Sequence, residues 1–355
     1  MNDCATLKNA RIMVVGCGSL GNELLKDLVL LGVEHLVLVD FDRVEMDNLS
    51  RTVLFTPDDV GRYKVDAARD RLRQMNARLE VETICADIIH DVGLGLIAEM
   101  DLVVACVDSR WTRFMINRHC MRTGRVWVDG GITQAEGSVR VFGAQVANCY
   151  ACNLGGKKLT ELQRRLSCSQ TIRRMEEMGH VPTGLIPAAV VGAVMARQVM
   201  DLLNGSPSLQ GHMYSFDADT LLGHKVLFQA FDDDCVEHDV WTPIRHCTLT
   251  SESTISEAIE QCNTLWLRDD CFVDYLIDRK DDTRHQMMCA GRMVVERMDM
   301  MPALRGRLTS DFYQHEYHVV DADFPYPMLT LQQLGIPSGD ILQTAQGFYQ
   351  LRNED

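Results

Sequence analysis

Positive charge is in short supply in this chain: 35 Lys+Arg stand against 50 Asp+Glu over 355 residues, a formal balance of −15. Affinity for a polyanion comes mainly from Lys and Arg that neutralise phosphates, so the deficit argues against non-specific nucleic-acid binding. A site for a phosphorylated ligand has to gather its cations locally. Long apolar runs are lacking too. The most apolar uncharged stretch, Thr183 to Ala196, carries one proline and two glycines and falls short of the roughly 18 apolar residues a membrane span needs. The opening MNDCATLKNAR has neither a basic nor an apolar signal region, so no secretory leader and no membrane association are expected. Thirteen Cys follow no disulfide-framework spacing. They read as reduced thiols, metal ligands or a nucleophile, and the expected compartment is the cytoplasm. Repeats and low-complexity tracts are absent, and a hydrophobic fraction of 46% excludes disorder.

What is present is enough apolar material for two cores, since one domain takes roughly 100–200 residues. Ala10–Gly16 is a short β-rich run. It is followed by Gly18–Gly32, where Leu20, Leu24, Leu28 and Leu31 recur at helical spacing, and then by the apolar run His35–Asp40. Strand, helix, strand makes a βαβ unit. The spacing next predicts a helix over Lys64–Met75 with Val65, Ala68, Leu72 and Met75 on one face, and strands at Leu79–Asp87 and Asp101–Asp108. Runs apolar throughout belong to a parallel sheet covered on both faces. After Val126–Gly131, the stretches Ser138–Ala144, His212–Asp217 and His224–Ala230 are expected to complete the sheet in antiparallel fashion, with a long apolar helix over Pro187–Leu203. The fold class is therefore α/β, a Rossmann-like, mostly parallel sheet over residues 1–250, with a small α+β domain over 251–355. Strands are expected in the latter at Phe272–Asp278, Met288–Glu296 and Glu316–Val320, and a helix at Glu257–Asn263.

Gly16, Gly18 and Gly21 form a GxGxxG between the first strand and helix, and Asp40 closes the second strand 19 residues after Gly21. Glycines let backbone approach a phosphate, a helix N-terminus favours its charge, and a carboxylate on the second strand bonds ribose hydroxyls. The loop by itself does not separate NAD from ATP, and an NAD-dependent oxidoreductase stays open at this point. The groups downstream separate them. Asn48, Arg51 and Lys64 follow Asp40 and Asp42. Hydride transfer has no use for further amide and cationic groups there, whereas breaking an α–β phosphate bond requires cations on the departing pyrophosphate. Asp108, ending another parallel strand, suits Mg²⁺ held partly through phosphates.

The stretches GCGSLGNELLKDLVLLGVEHLVLVDFDRVEMDNLSR, VGRYK and DLVVACVDS resemble the ubiquitin-activating enzymes and their relatives that adenylate sulfur carriers for molybdopterin and thiamin synthesis. The resemblance covers about the first 250 residues. It implies that Asp40 holds the ribose, Asn48, Arg51 and Lys64 the phosphates, and Asp108 the Mg²⁺. It implies attack by the C-terminal glycine carboxylate of a ubiquitin-like protein on the α-phosphate of ATP, and a working dimer. One departure stands out: many members carry an arginine on a helix before the first strand, and this chain has no Arg before Arg11.

Cys149-x₂-Cys152 and Cys235-x₂-His238 make a Cys₃His set suited to tetrahedral structural Zn²⁺, despite the 82-residue gap between the pairs. The resemblance adds that the family often holds a zinc between two such knuckles; His246 and Cys247 are the substitute ligands. Finally, Cys168 lies among Arg164, Arg165, Arg173 and Arg174, a setting that favours thiolate. By resemblance it occupies the position of the cysteine that takes the activated carrier as a thioester for handover to a conjugating enzyme. The alternative is a sulfur-carrier adenylyltransferase that stops at the acyl-adenylate. A silent binding protein that kept the fold is a third option.

Overall fold

A computed structural model describes residues 4–154, 184–206, 208–227, 232, 235–267, 272–279, 282–289, 292–295 and 312–353. They fall into two compact units, the first holding residues up to 89 and from 96 to 240, the second holding 90–95 and those from 241 onward.

In the first unit, helix α1 (Cys4–Asn9) leads into β1 (Arg11–Val15), α2 (Ser19–Leu30) and β2 (His35–Val39), then α3 (Lys64–Met75) and β3 (Glu80–Ile84). The short α4 (Leu94–Ala98), whose first two residues count with the second unit, β4 (Leu102–Ala105), α5 (Arg110–Arg122), β5 (Trp127–Ile132) and β6 (Glu136–Phe142) follow. Helix α6 (Leu185–Leu203) precedes the β7 (His212–Asp217) and β8 (Leu222–Leu227) hairpin. The eight strands form one sheet in the order β3-β2-β1-β4-β5-β6-β7-β8. β1 to β5 run parallel, and β6 to β8 close the sheet antiparallel as expected. The strand order reverses between β1 and β4, and ligand crevices in open parallel sheets lie at the carboxyl ends of strands at such a point.

The physical basis is the one the sequence displays. Ile12, Val14, Leu38 and Val104 are shut off from solvent, and each fully buried side chain of this kind contributes about 1.5–3 kcal/mol. The helical stripe of α2 buries Leu20, Leu24 and Leu28, but Leu31 lies past the helix end and is exposed. In α3, Val65, Ala68 and Leu72 are buried, whereas the expected fourth member, Met75, is the last residue of the helix and is exposed.

Helix α6 corrects the reading of the apolar stretch as too short to span a membrane: it runs for 19 residues, long and apolar enough by length and composition. Its inward face is core, however, with Val191, Met195 and Val199 fully buried in the same cluster as the sheet.

The second unit carries a five-stranded sheet and a four-stranded antiparallel sheet. The expected strand Met288–Glu296 is in fact two, Asp282–Cys289 and Arg292–Val295, paired antiparallel. Met287 and Met288 lie near the end of the first and Met293, Val294 and Val295 end the second, so the run looks continuous in sequence. Likewise Glu316–Val320 divides into Phe312–Tyr317 and Val319–Val320. The helix here is Ile255–Cys262, begun by a Thr254/Glu257 capping box. Ile255, Ala258, Leu265, Val320 and Leu331 form this unit's core. The segment 90–95 is stitched to it by the Leu94 N–H donating to Asp340 Oδ1 at 2.8 Å.

Candidate functional site

The three glycines of the loop after β1 have different reasons to be glycine. Gly16 has φ +93°, and a Cβ there would stand 2.6 Å from the Cys106 carbonyl oxygen. A Cβ on Gly21 would meet the Gly16 carbonyl oxygen at 2.1 Å. Packing against the chain itself therefore excludes side chains at both. Gly18 has an ordinary φ of −74°, and a Cβ there would touch nothing within 4 Å among the described residues. No described residue requires glycine at that position; the space beside it suits an incoming group. Helix α2 starts immediately afterward with no side chain capping it, which leaves first-turn N–H donors and the positive dipole end at the loop.

The loop is tied down by a residue the sequence reading passed over. Asn22, fully buried, donates from Nδ2 to the Cys17 carbonyl at 2.8 Å and the Gly18 carbonyl at 3.1 Å, and accepts from the Leu54 N–H at 2.9 Å. The available signal was a carboxamide set among the buried Leu20, Leu24 and Leu25. Ser19 Oγ donates to the Arg51 carbonyl at 2.9 Å, so Arg51 stands at the first residue of α2, its guanidinium donating to the Asp47 carbonyl at 3.0 Å. Asn48 is buried, its side-chain oxygen accepting from the Glu45 N–H at 3.1 Å in a capping box. Only its NH₂ end is then chemically suited to a phosphate.

Asp40 accepts from the Cys17 N–H at 2.7 Å and the Asp42 N–H at 2.8 Å. Burial raises its carboxyl above the usual range, opposed by the charge of Lys64 and by these two backbone donors. Lys64, at the start of α3, pairs with Asp42 at 2.7 Å. The structure thus brings Gly16, Gly18, Gly21, Asp40, Asp42, Arg51 and Lys64 to one end of β1 and β2. Asp108 follows β4 and is exposed; the β4 extension abuts the loop through the Cys106 carbonyl at Gly16. Arg11 is engaged away from this end, its guanidinium pairing with Glu99 at 2.9 Å and Glu82 at 3.5 Å.

The second constellation also assembles. One ligand atom each from Cys149, Cys152, Cys235 and His238 lies within 4.8 Å of all the others, and Cys152 Sγ is 3.2 Å from His238 Nε2. Three thiols and an imidazole at this spacing fit a tetrahedral Zn²⁺ with every position filled by protein. Burial pushes the Cys149 and Cys152 thiols up and that of Cys235 to about 11. Helix α5 supports both knuckles. Asn117 donates to Cys149 Sγ at 3.4 Å and accepts from the Tyr150 N–H at 3.0 Å. Arg118 grips the buried Glu237 with bonds of 2.7 and 3.2 Å. The substitutes are engaged elsewhere: His246 lies in the second unit's five-stranded sheet, and Cys247 donates to the Gln350 carbonyl at 3.2 Å. Cys168 and its arginines lie outside the described residues.

A third cluster has no counterpart in the sequence reading. Asp129 on β5, with no exposed surface, pairs with Arg113 at 2.8 Å and with Arg140. A charged residue inside an apolar strand was the one legible hint.

An open, mostly parallel sheet with a glycine loop and cations at its switch point, backed by a four-ligand knuckle pair, defines an α/β nucleotide-type domain. Residues 1–237 match the model of the ThiF family, and the chain belongs to that family, the ThiF/E1-like adenylyltransferases to which the resemblance pointed. It is 34% identical over 218 residues to the sulfur carrier protein adenylyltransferase of Thermus thermophilus, covering 60% of this chain and 76% of that protein. It is 31% identical over 231 residues to the adenylyltransferase and sulfurtransferase MOCS3 of Culex quinquefasciatus, covering 65% of this chain and 50% of the relative. The chain thus spans about half the length of the MOCS3 proteins it matches. A crystal structure of E. coli MccB with ATP shares the fold at a TM-score of 0.55 and 22% identity, over 66% of this chain and 68% of that one.

Proposed function

We propose that this protein uses ATP to adenylate the C-terminal carboxylate of a small ubiquitin-like or sulfur-carrier protein. The observation that carries the reading is the vacant surrounding of Gly18 at an uncapped helix start, flanked by the anchored Arg51 and by Lys64. In this reading Asp40 holds the ribose hydroxyls, and the N–H groups of α2 with Asn48, Arg51 and Lys64 hold the phosphates. Asp108 would hold a Mg²⁺ that neutralises polyphosphate charge when bound. A carrier carboxylate oxygen bonds to the α-phosphorus while the bond to the bridging oxygen of the β-phosphate breaks, and pyrophosphate leaves with the electron pair. Lys64 and Arg51 compensate the charge that develops there. Positioning and charge compensation are what the residues named can supply.

The relatives named above favour a carrier for sulfur as the substrate. The four arginines around Cys168 favour a second step, in which its thiolate attacks the acyl carbon and AMP departs, leaving a thioester for a conjugating enzyme. ATP–pyrophosphate exchange against candidate carriers ending in glycine tests the first step. Exchange with at least one carrier is expected, and stabilisation by NAD(H) but not by Mg·ATP would overturn the reading. Cys168→Ala separates the two outcomes, since exchange survives in both but a thiol-labile adduct with the carrier disappears only if the thioester forms. We further propose a dimeric, cytoplasmic enzyme, tested by sedimentation and by localisation. The C-terminal region is proposed to recruit the transfer partner. Removing residues 260–355 should then abolish transfer and spare exchange; loss of both would count against it.

A further inference from the structure

We infer that Arg113, charged and aligned by Asp129, is a positioning residue that sets where the Asp108 carboxylate stands; the inference rests on the proposed function. The pairing of β4 with β5 ends at Ala105 opposite Asp129. Beyond that point the two chains have no ladder to hold them, and the residues that follow β4 include Asp108. The Arg113 guanidinium enters there. Its Nη2 donates to the Val107 carbonyl at 2.5 Å and to the Gly130 carbonyl at 3.1 Å, its Nη1 points to the Asp108 carbonyl at 3.4 Å, and its Nε donates to Asp129 Oδ1 at 2.8 Å. One planar fork therefore bridges the ends of two strands, a task that needs the fixed, divergent donors of a guanidinium and that a lysine point charge cannot perform.

Asp129 makes this fork possible. Burial alone would lower the pKa of Arg113, but the facing carboxylate overrides it and holds the guanidinium above its ordinary value. The second oxygen of Asp129 accepts from Arg140, so its orientation is locked from both sides. The backbone on either side of Asp108 is held as well, by the Arg113 fork before it and by the Ser109 cap of α5 after it. A carboxylate that must meet a small octahedral ion needs such fixed placement, because Mg²⁺ tolerates little angular error.

The test compares wild type with Arg113→Lys in the full chain, using Mn²⁺ as the probe ion. Substitutions behind a metal ligand cost about 10–100-fold in metal affinity. Arg113→Lys is therefore expected to weaken Mn²⁺ binding to the ATP complex, read by electron paramagnetic resonance, about 10-fold or more. Stabilisation by ATP in chelator, read by thermal shift, should stay within about 2-fold. In an Asp108→Ala background, Arg113→Lys should add no further loss of Mn²⁺ affinity, which a merely structural role would not produce. Asp129→Asn, which keeps the shape and still accepts from Arg113, should weaken Mn²⁺ binding in the same direction, by up to about 10-fold, and serves if the lysine variant does not fold. Unchanged Mn²⁺ binding, equal losses with and without the ion, or additive losses in the double variant would each overturn the inference. Wild type that binds no ATP in either condition would instead overturn the proposed function, and this inference with it.

Discussion

The glycine-loop end of the first unit and its knuckle cluster belong to the same compact unit, yet they are built to opposite specifications. At the loop, polar groups satisfy one another in pairs that solvent can reach: the Asp42 partner of Lys64 is 48% exposed, and Gly18 faces open space. At the knuckles, Cys149 is fully buried, Cys152, Cys235 and His238 are half-buried, the Glu237 carboxylate is sealed, and one ligand atom from each of the four lies within 4.8 Å of the others. The first arrangement can exchange its pairs for a ligand and recover them afterwards. The second has no such freedom and fits an ion that is bound once and kept. A site for turnover costs little to open, whereas a staple must cost a great deal to break.

The comparison breaks most visibly if metal removal is harmless. Structural zinc contributes on the order of 10 kcal/mol in small domains, so chelation or Cys149→Ser is expected to lower Tm by at least about 10 °C in thermal unfolding. Because burial keeps the three thiols protonated without the ion, rebinding should release protons, and zinc affinity should fall as pH drops. Next in size is Arg118→Ala, which strands the buried Glu237 charge and is expected to cost about 3–5 kcal/mol in denaturant unfolding. At the open end the ordering reverses, with activity more sensitive than stability. Lys64→Ala should cut pyrophosphate exchange about 10²–10³-fold, as removal of one preorganised charge-stabilising donor does, with Tm little changed.

The smallest effect is the sharpest. Gly16→Ala forces a Cβ against the Cys106 carbonyl at a positive φ and is expected to destabilise by about 1–3 kcal/mol. Gly18→Ala should leave Tm within about 1 °C while weakening ATP binding, measured by titration calorimetry. If Gly18→Ala destabilised the protein as much as Gly16→Ala, the empty space would not be the ligand's.

How much of this was legible beforehand follows from how far each contact reaches along the chain. The β1–α2–β2 unit and α3 were readable almost to the residue, since buried runs and a 3.6-residue stripe are local patterns. The glycine loop was readable for the same reason. The knuckles were readable as ligand types and spacing, but their support by Asn117 and Arg118 was not, since it joins three distant stretches without periodicity. The Met288–Glu296 run shows the opposite failure, in which a continuous apolar pattern concealed two paired strands.

From the sequence by itself came the order of buried strands and helices, the phosphate-type loop and the inventory of thiols, because each is written in neighbouring residues. Only the tertiary structure decided that Asn22 locks the loop, that one helix carries both knuckles and the Arg113 fork, and that Asp129 is shared by two guanidinium groups. Buried polar groups must find partners wherever the fold offers them, and many of those partners, such as Leu54 for Asn22 and Glu237 for Arg118, lie far away along the chain.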